Sequence, residues 1–413
     1  MTATQSDVRV PVLTADEAVA TARELGERFA EGAAERDRSR TLPYDEVKAL
    51  AASGLLAITV PAAYGGPQLP VSAVAEVFRL LAWGDPNIAQ IPHSHFVYVN
   101  QLKLRGTPQQ QALILGEVLA GKTVANAQSE FGTKHVRDFR TTLTEAGDGR
   151  WLLSGEKFYC TGSLFADYLA VLGHRRRAGG DENGADGPLA VAWVPSDAPG
   201  VERIDDWDAV GQRTTGSGTV RLDEVVVTDE WITEFSPTFE GPTTYGAFAQ
   251  VLHAALDAGI ARRALEEAAA FVRERSRPYP DARATYGVER AAEDPLVVQA
   301  LGEMELAVRG AEALVAEAAR AIDAADADLT DESAGAASLA VAAARAATTA
   351  ASVDVASRLF EVAGTRSALA GLDLDRHWRN ARTHTLHDPA AWKVQHLGRW
   401  AVDGTLPPRH GQL

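Results

Sequence analysis

The sequence predicts an α+β chain of three consecutive domains, helical, then strand-rich, then helical, and three observations carry that prediction. Apolar residues recur at three- and four-residue spacing from Thr14 to about Leu119, as at Ala18, Ala22, Leu25 and Phe29. Short apolar or alternating runs separated by Gly and Asp turns then take over. From Thr244 onward the chain returns to strong helix formers. At 413 residues it exceeds one ordinary core, so several domains sharing interfaces are expected, with boundaries placed at 1–120, 121–236 and 237–413.

In the first domain, Thr14 followed by Glu17 has capping-box spacing, and PAAYGGPQLP at 61–70 reads as a Gly/Pro loop between two helices. In the second, strands are predicted at Thr123–Gln128, Thr141–Glu145, Trp151–Leu153, Leu189–Val194 and Val225–Val227. The polar, glycine-rich run HRRRAGGDENGADG at 174–187 reads as a mobile surface hairpin loop. In the third, Ala307 to Val355 is Ala-rich with a loop near Asp328–Gly335. Small residues on several helix faces favour close packing and subunit contacts, so a homo-oligomer, dimer or tetramer, is expected.

Lys plus Arg number 40 against 56 Asp plus Glu, a formal charge of −16 that opposes binding to nucleic acid or anionic membrane. The lone Cys160 excludes an intramolecular disulfide framework. The N-terminus, MTATQSDVRVPVL, lacks a signal pattern and no run of about 18 apolar residues stands out, so a cytoplasmic protein is expected. His384 and His387 have HxxH spacing, but no cluster elsewhere completes a shell, and no metal is expected.

Five segments in order resemble the acyl-CoA dehydrogenase superfamily. AQSEFG at 127–132 stands where that family has a flavin strand, GEKFYCTG at 155–162 resembles the second, and VGQRTTGSGTVRLDEVVV at 210–227 the end of the β domain. RERSRPY at 273–279 resembles a pyrophosphate-binding stretch, and FEVAGTRS at 360–367 a Gly-Gly turn. DLDRHWRNARTHTLHDP at 373–389 and ERDRSRTLPYDEVKAL near residue 35 are similar to the branch of dibenzothiophene monooxygenase and sulfur-acquisition oxidoreductases, a group of two-component flavin monooxygenases. The resemblance implies an acyl-CoA dehydrogenase fold: an N-terminal helical domain, a central β-barrel-like domain and a C-terminal four-helix bundle.

A dehydrogenase of this fold needs a carboxylate to remove a proton next to a thioester. The resemblance puts His387 at the commonest position of that base and His253 at the alternative one, before Ala258 and Gly259, with Asp257 and Asp388 within one turn. It therefore implies a reduced-flavin-dependent monooxygenase, using O2 and FADH2 or FMNH2 supplied by a separate NAD(P)H-dependent flavin reductase. Its pocket protects a flavin C4a-hydroperoxide from water, and it oxygenates a small heteroaromatic or organosulfur substrate such as a thiophene or an indole. His387 would promote or stabilise the hydroperoxide, since imidazole can donate near neutrality. The alternative is an FAD-dependent acyl-CoA dehydrogenase or oxidase; a scaffold without flavin affinity is a third reading.

Alternation along a strand puts Asn126 and Gln128 on one side, as it does Tyr159 and Thr161, with Cys160 turned away as a small buried hydrophobe. By resemblance, Asn126 and Thr161 are polar groups beside the reactive flavin edge, Gln128 and Ser129 further flavin contacts, and Tyr159 an aromatic wall. Arg275 or Arg277 and Arg366 would hold phosphate, with Gly364 permitting close approach and the first arginine serving a neighbouring subunit's site. His93, His95, Phe96, Trp207 and Phe248 are the substrate-pocket candidates, with plain core as the competing reading for the aromatic residues. Further alternatives are a core role for His253, a plain basic helix end for RHWRNAR and a solvated face for Arg273 to Arg277.

Overall fold

The computed structural model describes residues 9–133, 138–177 and 187–412. The helices of the first domain are α1 (Ala15–Ala30), α2 (Ala33–Ser39), α3 (Tyr44–Ala52), α4 (Val71–Gly84), α5 (Pro86–Gln90), α6 (His93–Arg105) and α7 (Pro108–Leu119). The predicted capping box opens α1: Thr14 N donates to Glu17 Oε2 at 2.8 Å, and Glu17 N to Thr14 Oγ1 at 3.3 Å. Apolar α4 is the hub, because it packs on α1 outward and on the C-terminal helices inward.

The strands are β1 (Val124–Ala127), β2 (Thr142–Gly147), β3 (Arg150–Lys157), β4 (Tyr168–Arg176), β5 (Leu189–Pro195), β6 (Val201–Ile204), β7 (Thr219–Thr228) and β8 (Ile232–Glu234). They form one sheet in the order β6-β7-β3-β2-β4-β5-β8, with β1 parallel to β4 and Asn126 opposite Ala170. Strands β4, β6 and β8 were not read from the sequence. In β4 the residues Leu169 to Gly173 are buried on both faces, so it shows no alternation to detect. The expected hairpin is present as antiparallel β4 and β5, while residues 178–186 of its loop, like residues 1–8 of the terminus, lie outside the described residues.

Helices resume with α8 (Tyr245–Glu274), α9 (Pro280–Tyr286), α10 (Pro295–Ala327), α11 (Asp331–Ala363), α12 (Arg376–His384) and α13 (Ala390–Asp403). Long α8, α10 and α11 pack together, with shorter α13 on α11 completing the bundle. Helix α11 starts at Asp331, so Gly335 is helical and the interhelical loop is shorter than expected; Thr330 and Ser333 form the capping box that sets this start. By length and composition α11 could cross a membrane, contrary to the expectation of no such run. Its Ala content explains this: half of its apolar window is buried against neighbouring helices, where small side chains allow close approach. The same demand is acute in α8, where a Cβ on Gly259 would lie 2.5 Å from the Arg79 carbonyl oxygen of α4.

Candidate active site

Four histidines converge where α6, α8 and the end of α12 meet. His93 opens α6, His253 lies midway along α8, His384 ends α12, and His387 follows in a turn in which its N–H donates to the His384 carbonyl at 3.1 Å. The rings of His93 and His253 are stacked with centroids 3.8 Å apart, and His387 lies 4.2 Å from His253. His93, His253 and His384 are buried, whereas the His387 side chain is 49 % exposed and forms the open side of the cluster. The HxxH pair does not aim at a common ion, because α12 ends between its members. His384 Nε2 instead meets His253 Nδ1 at 2.9 Å, and His384 Nδ1 meets Asp257 Oδ1 at 2.6 Å.

Behind the histidines runs a chain of charges. Arg345 of α11 donates to Asp257 at 2.6 Å and to Asp388 at 2.9 Å, and Lys393 of α13 pairs with Asp388 at 2.7 Å. Burial opposes the charge on Asp388, but Arg345 and Lys393 outweigh it and hold its carboxyl down to about 2. Burial, reinforced by nearby Arg345, pushes His93 down to about 3 and lowers His253 well below the usual range. At neutral pH these two buried rings are therefore uncharged. Asp257 and Asp388, the carboxylates within one turn of the dehydrogenase base positions, are both tied to Arg345, so neither is a free base.

The middle domain supplies a polar edge. Strand β1 ends at Ala127, so Asn126 lies on it while Gln128 and Ser129 follow it. The Asn126 Oδ1 atom is buried without a hydrogen-bond partner. Tyr98 of α6 donates to Gln128 Oε1 at 2.9 Å, and Lys157, paired with Glu130 at 2.7 Å, donates to the Gln128 carbonyl at 3.0 Å. The Ser129 carbonyl accepts from Phe158 N at 2.8 Å. Strand β3 stops at Lys157, so the expected alternation through Thr161 does not hold: Tyr159 takes a left-handed φ of 57° and bends the chain. Cys160 is nevertheless buried in the apolar core and Tyr159 is 52 % exposed, its ring 5.8 Å from Trp207. Thr161 Oγ1 and Ser217 Oγ are 2.7 Å apart, and Ser217 reaches Thr215 at 2.6 Å. An unpartnered buried amide oxygen, a line of hydroxyls and a half-open tyrosine beside a tryptophan fit a flat ring system with polar edges, as a flavin requires.

The other pocket candidates separate. His95 is committed to structure: Nδ1 accepts from Val124 N at 3.2 Å, so Nε2 donates to the Leu56 carbonyl at 2.8 Å. Phe96 and Phe248 belong to the buried core, where the apolar drive places them. Trp207 is partly exposed and donates to the Gln212 carbonyl at 2.7 Å. Arg275, Arg277 and Arg366 are exposed at the far end of the bundle, where Arg366 donates to the Arg275 carbonyl at 2.8 Å and Gly364 has φ 77°. The basic run of α12 ties domains together: Arg379 pairs with Asp37 at 2.6 Å, and Asn380 Oδ1 accepts from Gln212 N at 2.7 Å. Sequence reasoning missed His384, Arg345, Lys393 and Tyr98 as site residues. One signal was available, Arg345 set in the alanine run at 342–347 of α11.

Comparison with known proteins agrees with this architecture. The chain matches the acyl-CoA dehydrogenase N-terminal domain over residues 14–122, the middle domain over 126–225 and the C-terminal domain over 251–391. It is 34 % identical over 398 residues to dibenzothiophene monooxygenase of Mycolicibacterium goodii, covering 94 % of both chains. It is also 34 % identical to the probable FMNH2-dependent monooxygenase SfnC of Pseudomonas putida, covering 94 % of this chain and 96 % of that one. The crystal structure of FMN-bound TdsC from Paenibacillus sp. A11-2 superposes with a TM-score of 0.89 at 33 % identity, covering 96 % of this chain and all (100 %) of that one. Methanesulfinate monooxygenase MsuC of Pseudomonas fluorescens superposes at 0.85 with 32 % identity, covering 96 % and 99 %. With its three domains matched and its relatives sharing a third of its residues end to end, the chain belongs to the acyl-CoA dehydrogenase family, in the branch of flavin-dependent monooxygenases.

Proposed function

We propose that this enzyme takes reduced FMN released by a separate NAD(P)H-dependent reductase and adds one oxygen atom to a flat heteroaromatic or organosulfur substrate, an indole or a thiophene. The observation that carries this reading is the packing of His387 against the buried, uncharged rings of His93 and His253, with Asp257 and Asp388 tied to Arg345, at a place where a dehydrogenase would need a free carboxylate. Its substrate class is supported by relatives named for dibenzothiophene and methanesulfinate, and by TdsC, crystallised with FMN and indole.

Reduced flavin, when bound, supplies the electrons that convert dioxygen into one transferable oxygen atom and water. Asn126, Thr161, Gln128 and Ser129 would hold its polar edge and Tyr159 its face. Arg275 or Arg277 and Arg366, with Gly364, would take the flavin phosphate, the first arginine that of a second copy's flavin, which makes a homo-oligomer part of the reading. His387 sits at the open side of the cluster, where an imidazole can accept or donate a hydrogen bond near neutrality. The open side would have to be closed by bound flavin and substrate against bulk water, which would otherwise divert oxygen to hydrogen peroxide.

The test is to mix the purified protein anaerobically with reduced FMN, admit oxygen, and quantify oxygenated product and hydrogen peroxide with indole and dibenzothiophene as acceptors. Product from either acceptor is expected. If neither is oxygenated and an acyl-CoA instead bleaches added oxidised FAD, the dehydrogenase reading replaces this one.

A further inference from the structure

We propose that Asp257 and His384 form a relay that sets the position of the proton on His253, and that His253 passes a proton to and from the site beside His387. This rests on the monooxygenase reading above.

The argument is one of hydrogen accounting. Asp257 lies between Arg345 Nη1 at 2.6 Å and His384 Nδ1 at 2.6 Å. A carboxylate gripped by a guanidinium can only accept, so His384 carries a hydrogen on Nδ1. With His384 neutral, its Nε2 presents a lone pair, and His253 Nδ1, 2.9 Å away, donates to it. His253 is thereby locked with its hydrogen on Nδ1 and a free lone pair on Nε2. Free histidine prefers the opposite tautomer, so the arrangement is imposed by the fold.

The groups around His253 allow that lone pair to work. His93 of α6 stacks on its face but directs Nε2 to the Ala249 carbonyl at 2.9 Å, so it does not compete for the proton. His387 lies 4.2 Å away and is half-exposed, which gives a route to substrate or water that buried His253 lacks. Arg345 of α11, Asp388 and Lys393 of α13 form an ion-pair arm on the far side that neutralises charge without touching His253.

Monooxygenation consumes dioxygen, two electrons and two protons, leaving one oxygen on substrate and one in water; the electrons come from reduced flavin. When His253 Nε2 takes a proton, its Nδ1 proton can cross to His384 Nε2, so that one N–H bond forms as another breaks. The positive charge then rests on His384, against Asp257, and the reverse transfer returns the proton. Asp257 and His384 are positioning residues in this scheme.

His384→Gln separates relay from scaffold. A glutamine amide can still accept from His253 Nδ1 and donate to Asp257, yet it cannot carry the proton. Ring-nitrogen NMR on [15N]histidine-labelled, flavin-free protein should show His253 with hydrogen on Nδ1 in both wild type and H384Q. The fraction of reduced FMN coupled to product should fall roughly 10- to 100-fold in H384Q and lose its dependence on pH, in the range expected for loss of proton-transfer assistance. Should H384Q fail to fold by circular dichroism, Asp257→Asn carries the same test. Wild-type His253 with hydrogen on Nε2, or full coupling with an unchanged pH profile in the variant, overturns the relay alone. A wild-type enzyme that oxygenates no acceptor overturns the monooxygenase reading and the proton passing with it.

Discussion

Arg345 Nη1 lies 2.6 Å from Asp257 Oδ2, with side chains only 2 % and 0 % exposed, so the Ala-rich α11 carries a charge into the centre of the bundle. A second nitrogen of the same guanidinium holds Asp388. Arg345→Met would leave two carboxylates buried without their main partner. Breaking one side of a buried ion pair costs on the order of 3 to 5 kcal/mol. The denaturation midpoint should drop accordingly, and a loss below about 1 kcal/mol would show that the two aspartates find other partners.

The loop carrying Gln212, Thr215 and Ser217 is pressed against α12. A Cβ at Gly211 would sit 2.0 Å from the Arg379 carbonyl oxygen and 2.2 Å from its carbon, both backbone atoms that cannot move aside alone. Gly211→Ala should push loop and helix apart, breaking the 2.7 Å bond from Gln212 N to Asn380. We expect weaker FMN affinity, by about tenfold, with a lowered melting temperature; wild-type values for both would mean that the two elements do not position the flavin edge together. The tenfold figure corresponds to about 1.4 kcal/mol, the lower end of what overpacking costs.

Two buried histidines give acid sensitivity its sign. Burial pushes His93 down to about 3 and His95 down to about 4, from an ordinary 6.5. As pH falls below 6.5 the unfolded chain binds protons that the folded chain refuses, so stability falls from pH 6.5 toward 4. The slope is up to about 1.4 kcal/mol per pH unit for each group. Urea titrations across that range should show it. His95→Gln, able to accept from Val124 N and donate to the Leu56 carbonyl, should flatten the slope; a wild-type midpoint constant between pH 6.5 and 5 would refute the account.

His387 is the exposed member of its cluster, so its replacement should alter chemistry more than folding. For His387→Phe we expect lower product yield, higher hydrogen peroxide release and a melting temperature within about 2 °C of wild type, since exposed substitutions change stability little. Oxygen electrode and peroxide assays, run beside product chromatography, check this. Unchanged coupling would remove His387 from the mechanism.

Much of the architecture was readable in the chain because it rests on local rules. The Thr14–Glu17 box and the helical first and third domains follow from spacing and side-chain chemistry within a few residues. The choice of His387 rested instead on the resemblance of a contiguous segment, 373–389. Where long-range packing decides, local reading failed: β4 is buried on both faces and shows no alternation, and the bend at Tyr159 interrupts what reads as a strand.

The sequence by itself determined the order of helical and strand-rich domains and the kinds of side chain available to the site. Only the tertiary structure decided which of them work together. His384 and Asp257 stand 127 positions apart, and Arg345 and Asp257 88 apart, yet each pair closes to 2.6 Å. Such contacts are selected by the burial of whole helix faces, since once α8, α11 and α12 pack, their polar groups must find partners inside or remain unsatisfied at a cost of several kcal/mol.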